Sequence, residues 1–245
     1  WRTITSSTFN SLEAPKAYNC DSSKSSGISG RVFNSIINGT PSTRPTRSAL
    51  PIKTVATFLS TALPFFKSTP SAIQVKAIPK IIAGGDTIAQ AQSGTGKTGA
   101  FSISLLSKID ETLDNTQCIV IVPTHELADQ VYTVITELSS YSKIKTLKVI
   151  GKTSINSCIQ ELEKNPHVIV GTPGRILDMI NRRSLYTDKI NMLVFDEADE
   201  ILSYGFKDTI YNIVQTIPRD TQICLFSATL PKDVLELTEK FMNEP

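Results

Sequence analysis

The sequence has few of the residues that hold small secreted or zinc-binding domains together. Its 245 residues include only four cysteines and two histidines, and these are widely separated. They are too few and too isolated to form a zinc-ligand motif. Cys118 and Cys224 lie inside apolar segments, where a reduced thiol packs as a small hydrophobic side chain. This usage favours a reducing compartment, and we expect the protein to be cytoplasmic.

Long apolar runs and an excess of one charge are also missing. No hydrophobic stretch approaches the length of a transmembrane helix, so we expect no membrane partner. The formal net charge is +2, which excludes a strong field over the whole protein. Any contact with nucleic acid must therefore come from a local patch. A hydrophobic content of 40% is ordinary for a globular protein with a substantial core.

Residues 1–48 lack a hydrophobic period and are poor in acids. They are rich in Ser and Thr, and their only acids are Glu13 and Asp21. This composition predicts a disordered tail. It also fits an organelle transit peptide, which would place the protein in an organelle, or a segment foreign to the domain that follows.

From about residue 70, short apolar segments alternate with amphipathic ones. The predicted strands are Thr87–Gln90, Cys118–Val122, Thr146–Ile150, Val168–Val170, Met192–Phe195 and Ile223–Phe226. The predicted helices are Ala72–Ile82, Thr98–Ile109, His125–Leu138, Ile155–Glu163, Arg175–Asn181, Lys207–Thr216 and Asp233–Met242. This alternation predicts an α/β fold with a parallel sheet covered by helices on both faces. Ligands of such folds bind at the carboxyl ends of the strands.

The stretch Ala91–Thr98 predicts a phosphate-binding loop between a strand and a helix. Its glycines let successive backbone N–H groups point at an anion, and the helix adds the positive end of its dipole. Lys97 would reach the outer phosphates of ATP, and the Thr98 hydroxyl would ligate Mg²⁺. Ala91 stands where this loop usually has Gly, and the alternative is a glycine-rich turn into a helix. The predicted phosphate-binding residues are Ser93, Gly94, Thr95, Gly96, Lys97 and Thr98.

The strand Met192–Phe195 runs directly into the acids of Asp196–Asp199. Asp196 would hold Mg²⁺, through water, and offset charge on the phosphates. Glu197 would orient and deprotonate the attacking water. An acidic helix start is the alternative, but Lys97 upstream favours a catalytic site formed by Lys97, Asp196 and Glu197.

Five motifs follow one another in a fixed order. They are Ala91–Thr98, Pro123–Ala128, Thr172–Arg175, Asp196–Asp199 and Ser227–Thr229. In order and spacing they resemble the motif set of the DEAD-box RNA helicases. The resemblance covers about residues 70–245 and is to the first, N-terminal, of that family's two RecA-like lobes. The segments Leu193–Ser203, Gly205–Asp208, Asp233–Glu236 and Lys240–Met242 further resemble the translation-initiation helicase subgroup.

The resemblance implies a role for each matching residue. Gln74 would read the adenine edge, because an amide offers both a donor and an acceptor; a buried helix residue is the alternative. Asp199, Ser227 and Thr229 would couple nucleotide state to lobe closure. Contacts to the RNA backbone carry little sequence information. They would come from Thr124, His125, Glu126, Gly151, Thr172, Pro173, Gly174 and Arg175.

Three positions depart from the family pattern. His125 replaces an arginine, Lys152 replaces the second glycine of a Gly-Gly pair, and Ala49 stands where an aromatic would stack on adenine. The first change removes a permanent charge and a five-donor fork. Phe58, Phe65 and Phe66 lie nearby in the sequence, so the stacking residue stays open.

The expected organisation is a tail at 1–48, a RecA-like ATP-binding lobe at 49–242, and the start of an interlobe linker at 243–245, with no second lobe. The implied function is an ATP-dependent RNA helicase whose lobe binds ATP, Mg²⁺ and RNA, with a second lobe and protein regulators as partners. A truncated, non-catalytic regulatory module is the alternative. A P-loop NTPase outside the helicases, such as a transporter subunit, would need a signature segment that the sequence lacks.

Overall fold

The computed structural model describes residues 4–5, 70–243 and 245. The prediction of a tail at 1–48 therefore falls outside the described residues, apart from Ile4 and Thr5. Ala49 and the three nearby phenylalanines also lie outside them.

Within the described residues, seven parallel strands form one sheet, in the order β1-β2-β7-β6-β3-β5-β4. Six strands confirm the sequence prediction to within a few residues. The seventh, β1, pairs Ile4 with Ala89 and was not predicted. The strands are β1 (Ile4–Thr5), β2 (Thr87–Gln90), β3 (Cys118–Ile121), β4 (Thr146–Val149), β5 (Val168–Gly171), β6 (Met192–Phe195) and β7 (Gln222–Ser227).

The described residues form eight helices, of which seven were predicted. The helix α6 was missed because it has only six residues and follows the acidic turn directly. The helices are α1 (Ala72–Ile82), α2 (Lys97–Leu106), α3 (His125–Leu138), α4 (Ile155–Leu162), α5 (Pro173–Asn181), α6 (Ala198–Ser203), α7 (Lys207–Val214) and α8 (Lys232–Phe241). In the described part of the chain, none is long and apolar enough to cross a bilayer.

Helices cover both faces of the sheet, which confirms the predicted fold class. Side chains of α1, α2 and α3 pack on one face, where the rings of Phe101 and Phe226 lie 5.3 Å apart. Side chains of α4 to α8 pack on the other face. Strands β3, β5, β6 and β7 are buried along their whole length, as expected for strands covered on both sides.

One close backbone contact joins the edge strand β4 to β5. A Cβ atom added at Gly171 would lie 2.0 Å from the carbonyl oxygen of Val149. Since that oxygen belongs to the backbone of a paired strand, a larger residue has no room here.

At the amino ends of the same two strands, His167 immediately precedes β5 and is 1% exposed. Its Nδ1 accepts a hydrogen bond from the Lys145 N–H at 2.9 Å, and its buried Nε2 has no partner among the described residues. Burial, and then the charge of Lys145, lower the pKa of His167, against the opposing effect of nearby carboxylates. The imidazole is therefore held in its neutral form.

Candidate functional site

The loop between β2 and α2 has the backbone conformation of an anion-binding turn. Gly94 and Gly96 have φ angles of 77° and 95°, in the left-handed region that favours glycine. The Ala91 N–H donates to the Ser227 carbonyl at 3.0 Å, and the Thr95 hydroxyl donates to the Gln92 carbonyl at 2.7 Å. The loop is thus anchored to the end of β7 and leads directly into the first turn of α2.

The topology brings this loop to the acidic end of β6. Strand β7 lies between β2 and β6, so the loops that follow β2 and β6 meet at the carboxyl edge of the sheet. The Lys97 Nζ lies 3.0 Å from the Glu197 Oε2, and the two side chains are 4% and 15% exposed. Two residues that the sequence predicted to share one site therefore form an ion pair in it.

Asp196 is the most enclosed acid of this site, at 2% exposed. One of its carboxylate oxygens accepts a hydrogen bond from the Glu197 N–H at 3.1 Å. Burial, reinforced by the negative charge of Glu197, raises the pKa of Asp196 to about 7, although Lys97 opposes this. A cation beside Asp196 would favour its ionised form, because opposite charges stabilise each other.

The donor set around Asp196 suits a magnesium ion that brings its own phosphate and water ligands. In the described part of the chain, no group of three or more His, Cys, Asp or Glu side chains could hold a metal. The available ligands are the Asp196 carboxylate and the Thr98 hydroxyl in the first turn of α2. Mg²⁺ is commonly bound by one or two carboxylates together with substrate phosphates and waters.

The backbone of Glu197 is strained. Its φ and ψ are both 53°, a left-handed conformation, and it immediately precedes α6. For a residue other than glycine this conformation costs on the order of 1 kcal/mol or more. It turns the chain sharply out of β6, and the Glu197 side chain meets Lys97.

Asp199 joins the acidic turn to the end of β7. Its carboxylate accepts from the Thr229 N–H at 2.9 Å and from the Thr229 hydroxyl at 2.7 Å. Its own N–H donates to the Ser227 hydroxyl, which donates in turn to the Thr229 carbonyl. Burial opposes ionisation of Asp199, but the hydrogen bonds from Thr229 and Ser227 hold its pKa below the ordinary range. The three residues predicted to act together thus form one network.

Gln74 uses both ends of its amide within the protein. Its Oε1 accepts from the Ser71 N–H at 2.9 Å, and its Nε2 donates to the Gly96 carbonyl at 3.3 Å. Ser71 and Gln74 form a capping box that starts α1. A Cβ atom at Gly96 would lie 2.7 Å from this Nε2. Gln74 therefore packs against the phosphate loop, and contact with a base would require these hydrogen bonds to be exchanged or shared.

A second group of predicted residues lies where β3, β4 and β5 end, at the other half of the same sheet edge. The Thr124 hydroxyl accepts from the Leu127 N–H at 3.2 Å and so caps α3. His125 and the exposed Glu126 form the first turn of that helix. A Cβ at Gly151 would lie 3.2 Å from the His125 Nε2, so this glycine lies against the imidazole.

The remaining residues of this second group lie at the start of α5, where they offer hydrogen-bond donors beside open space. Thr172 is buried and precedes the helix, and Pro173 occupies its first position, which needs no N–H donor. A Cβ at Gly174 would meet nothing within 4 Å. The Arg175 guanidinium donates to the Thr153 hydroxyl at 3.2 Å and to the Thr153 carbonyl at 3.1 Å.

Comparison with known proteins decides the family. The family model described as DEAD/DEAH box helicase matches residues 71–237. The chain belongs to the DEAD/DEAH box helicase family. This confirms the resemblance that the five motifs indicated.

Two curated members of the DEAD-box family illustrate the similarity. The ATP-dependent RNA helicase FAL1 of Mycosarcoma maydis is 53% identical over 176 residues, which cover 72% of this chain and 44% of that protein. The ATP-dependent RNA helicase eIF4A of Chaetomium globosum has the same identity and the same coverage. The chain thus spans less than half the length of these relatives.

Solved DEAD-box structures share the RecA-like fold. A DEAD box protein from Methanococcus jannaschii superposes with a TM-score of 0.73 at 37% identity, covering 76% of this chain and 51% of that one. A complex of S. cerevisiae Dbp5 with Nup159, Gle1, IP6 and ADP gives a TM-score of 0.67 at 34% identity, covering 76% of this chain and 49% of that one.

Two residues that contact the candidate site in this DEAD-box chain were not predicted from the sequence. Ser71 could have been found, since Ser-x-x-Gln before an apolar run is the signature of a capping box. Thr153, which holds Arg175, belongs to no motif and gave no signal.

Lys152, the departure from the Gly-Gly pair, is exposed and has a φ angle of 64°, a conformation that a glycine would adopt without strain.

Proposed function

We propose that this chain is the nucleotide-binding lobe of an ATP-dependent RNA helicase. It binds ATP with Mg²⁺ at the ends of β2, β6 and β7, and it binds the RNA backbone at the ends of β3, β4 and β5. Joined to a second RecA-like lobe, it couples ATP hydrolysis to unwinding of an RNA duplex. We further propose a cytoplasmic location and protein regulators as partners.

The ion pair between Lys97 and Glu197, 3.0 Å apart beside the buried Asp196, carries this proposal. A lysine this enclosed is suited to a triphosphate that replaces its carboxylate partner. The solved complex of the relative Dbp5 contains ADP, which supports a nucleotide as the ligand of the matching lobe here.

The proposed chemistry assigns one role to each residue. The loop N–H groups and Lys97 bind and orient the phosphates, and Glu197 accepts a proton from the attacking water. Mg²⁺, held by Asp196 and Thr98, would neutralise charge on the phosphate oxygens. The network of Asp199 with Thr229 would transmit the nucleotide state to the second lobe.

RNA binding rests on the other half of the sheet edge. Two helix starts, at Thr124 and Thr172, follow the adjacent strands β3 and β5, and their backbone N–H groups suit phosphate oxygens. The open space above Gly174 lets a phosphate approach the backbone. Arg175 supplies a charge-assisted contact from a guanidinium already oriented by Thr153.

The test is nucleotide binding by the wild-type chain and Lys97→Ala. A fluorescent ADP analogue titrated with Mg²⁺ should bind the wild type, and the variant should lose affinity by about 100-fold or more, because a buried phosphate loses its counter-charge. Lys189→Ala is the matched control, since Lys189 is an exposed lysine paired only loosely with Asp188, at 3.9 Å. Equal binding by the wild type and Lys97→Ala, or no binding by either, would overturn the proposal.

A further inference from the structure

Asp86 lies at the amino edge of the sheet, the edge opposite the phosphate loop. It occupies the turn immediately before β2 and makes two contacts with backbone far away in sequence. Its Oδ1 accepts from the Ile223 N–H at 2.7 Å, and its Oδ2 accepts from the Asn243 N–H at 2.6 Å. One carboxylate therefore joins the starts of β2 and β7 to Asn243, the second residue after α8.

The contact with Asn243 lies just beyond the last N–H that finds a hydrogen-bond acceptor within α8. The last helical hydrogen bond of α8 runs from the Met242 N–H to the Thr238 carbonyl at 3.0 Å. Met242 then turns to extended backbone, with φ −98° and ψ 145°, and its side chain is buried. The next N–H, that of Asn243, donates to Asp86. The Asp86 carboxylate thus accepts a hydrogen bond from Asn243, the first residue whose N–H no longer bonds within α8.

A neighbouring side-chain amide makes further hydrogen bonds at this corner. The Gln222 Nε2 donates to the Ile81 carbonyl at 3.0 Å and to the Gly85 carbonyl at 2.5 Å, while its Oε1 accepts from the Lys108 Nζ. Lys108 is also the cation whose charge acts on Asp86. Burial raises the pKa of Asp86, whereas its two backbone donors and Lys108 favour the ionised form.

We infer that Asp86 is a positioning residue that clasps the chain after α8 to the β2–β7 strand pair. The position of the backbone at Asn243 is then fixed relative to the strand that carries the phosphate loop. Charge-assisted bonds to backbone N–H groups are stronger than neutral ones, so a single carboxylate suffices for both contacts. This inference does not depend on the proposed function, because it concerns backbone contacts at the other edge of the sheet.

Hydrogen exchange of single backbone amides, followed by NMR on the whole 245-residue chain, tests the clasp. In Asp86→Ala the Asn243 amide should exchange about tenfold faster or more, because it loses its acceptor. Asp86→Asn keeps one oxygen and is the second variant should Asp86→Ala fold poorly; one of the two amides should remain protected in it. Asp220→Asn, an exposed acid in the turn before β7, is the matched control.

The pattern of exchange separates a clasp from a general structural role. Faster exchange confined to Asn243 and Ile223, with the amide of Val120 in the central strand β3 unchanged, supports the inference. Unchanged protection of Asn243 in both variants overturns it. Equal loss of protection at Asn243 and Val120 also overturns it, since Asp86 would then act only through global stability.

Discussion

Replacing Glu197 with Gln should tighten the binding of magnesium-free ADP. In the free protein Lys97 is paired with Glu197 at 3.0 Å, so an incoming phosphate must compete with that carboxylate for the same ammonium group. The carboxylate also repels the phosphate. Glutamine keeps the size and polarity of the side chain and removes both effects.

The size of the effect follows from the geometry of the pair. At 3.0 Å and an effective dielectric constant of about 20, the direct attraction is about 5.5 kcal/mol. Solvation of the separated charges offsets most of this, and a hydrogen bond to a charged group is worth about 1.5–3 kcal/mol net. Because a phosphate replaces only part of the lost pairing, we expect a gain of about 1.4 kcal/mol, or tenfold in affinity.

Titration with a fluorescent ADP analogue in EDTA at low salt measures this gain. Glu200→Gln is the matched control, because it removes the same formal charge from an exposed residue of α6; its affinity should change by less than about twofold. Unchanged or weaker binding by Glu197→Gln would refute the reasoning, as would an equal gain in both variants, which would reduce the effect to net charge.

Two further predictions concern stability. Gly171→Ala should lower the free energy of unfolding in urea by at least about 3 kcal/mol, since the added Cβ would lie 2.0 Å from the Val149 carbonyl oxygen. Gly174→Ala, with open space around its Cβ, should change it by under about 1 kcal/mol, and similar losses in both would contradict the steric argument. His167 has a lowered pKa in the fold, so the unfolded chain binds its proton first as the pH falls. Stability should fall below about pH 6.5, by at most about 1.4 kcal/mol per unit, until the folded pKa is reached. His167→Gln should flatten this part of a pH series of urea titrations, and an unchanged slope would rule out His167 as its source.

The sheet was predictable because its signal is local. Segments such as Cys118–Ile121 are continuously apolar, which is the sequence pattern of strands buried on both faces. The short helix α6 gave no such signal, because six residues are too few to establish a helical period. The strand Ile4–Thr5 lies in a stretch whose composition predicted disorder, and its pairing with β2 depends on tertiary contact.

The members of the candidate site were predictable, but their hydrogen-bond partners were not. Motif spacing predicted that Lys97 and the acids after β6 share one site, and the sheet order brings them together. Gln74 forms hydrogen bonds with Ser71 and with the Gly96 carbonyl because of the way in which α1 packs against the phosphate loop. Sequence patterns do not encode that packing. The roles in ATP and RNA binding stay predictions.

The left-handed backbone conformation of Glu197 lowers the stability of the folded domain. A glycine at this position would relax the main chain, yet it would leave Lys97 facing the end of β6 without its carboxylate. Backbone stability therefore favours a glycine at this position, whereas the proposed proton transfer requires the glutamate.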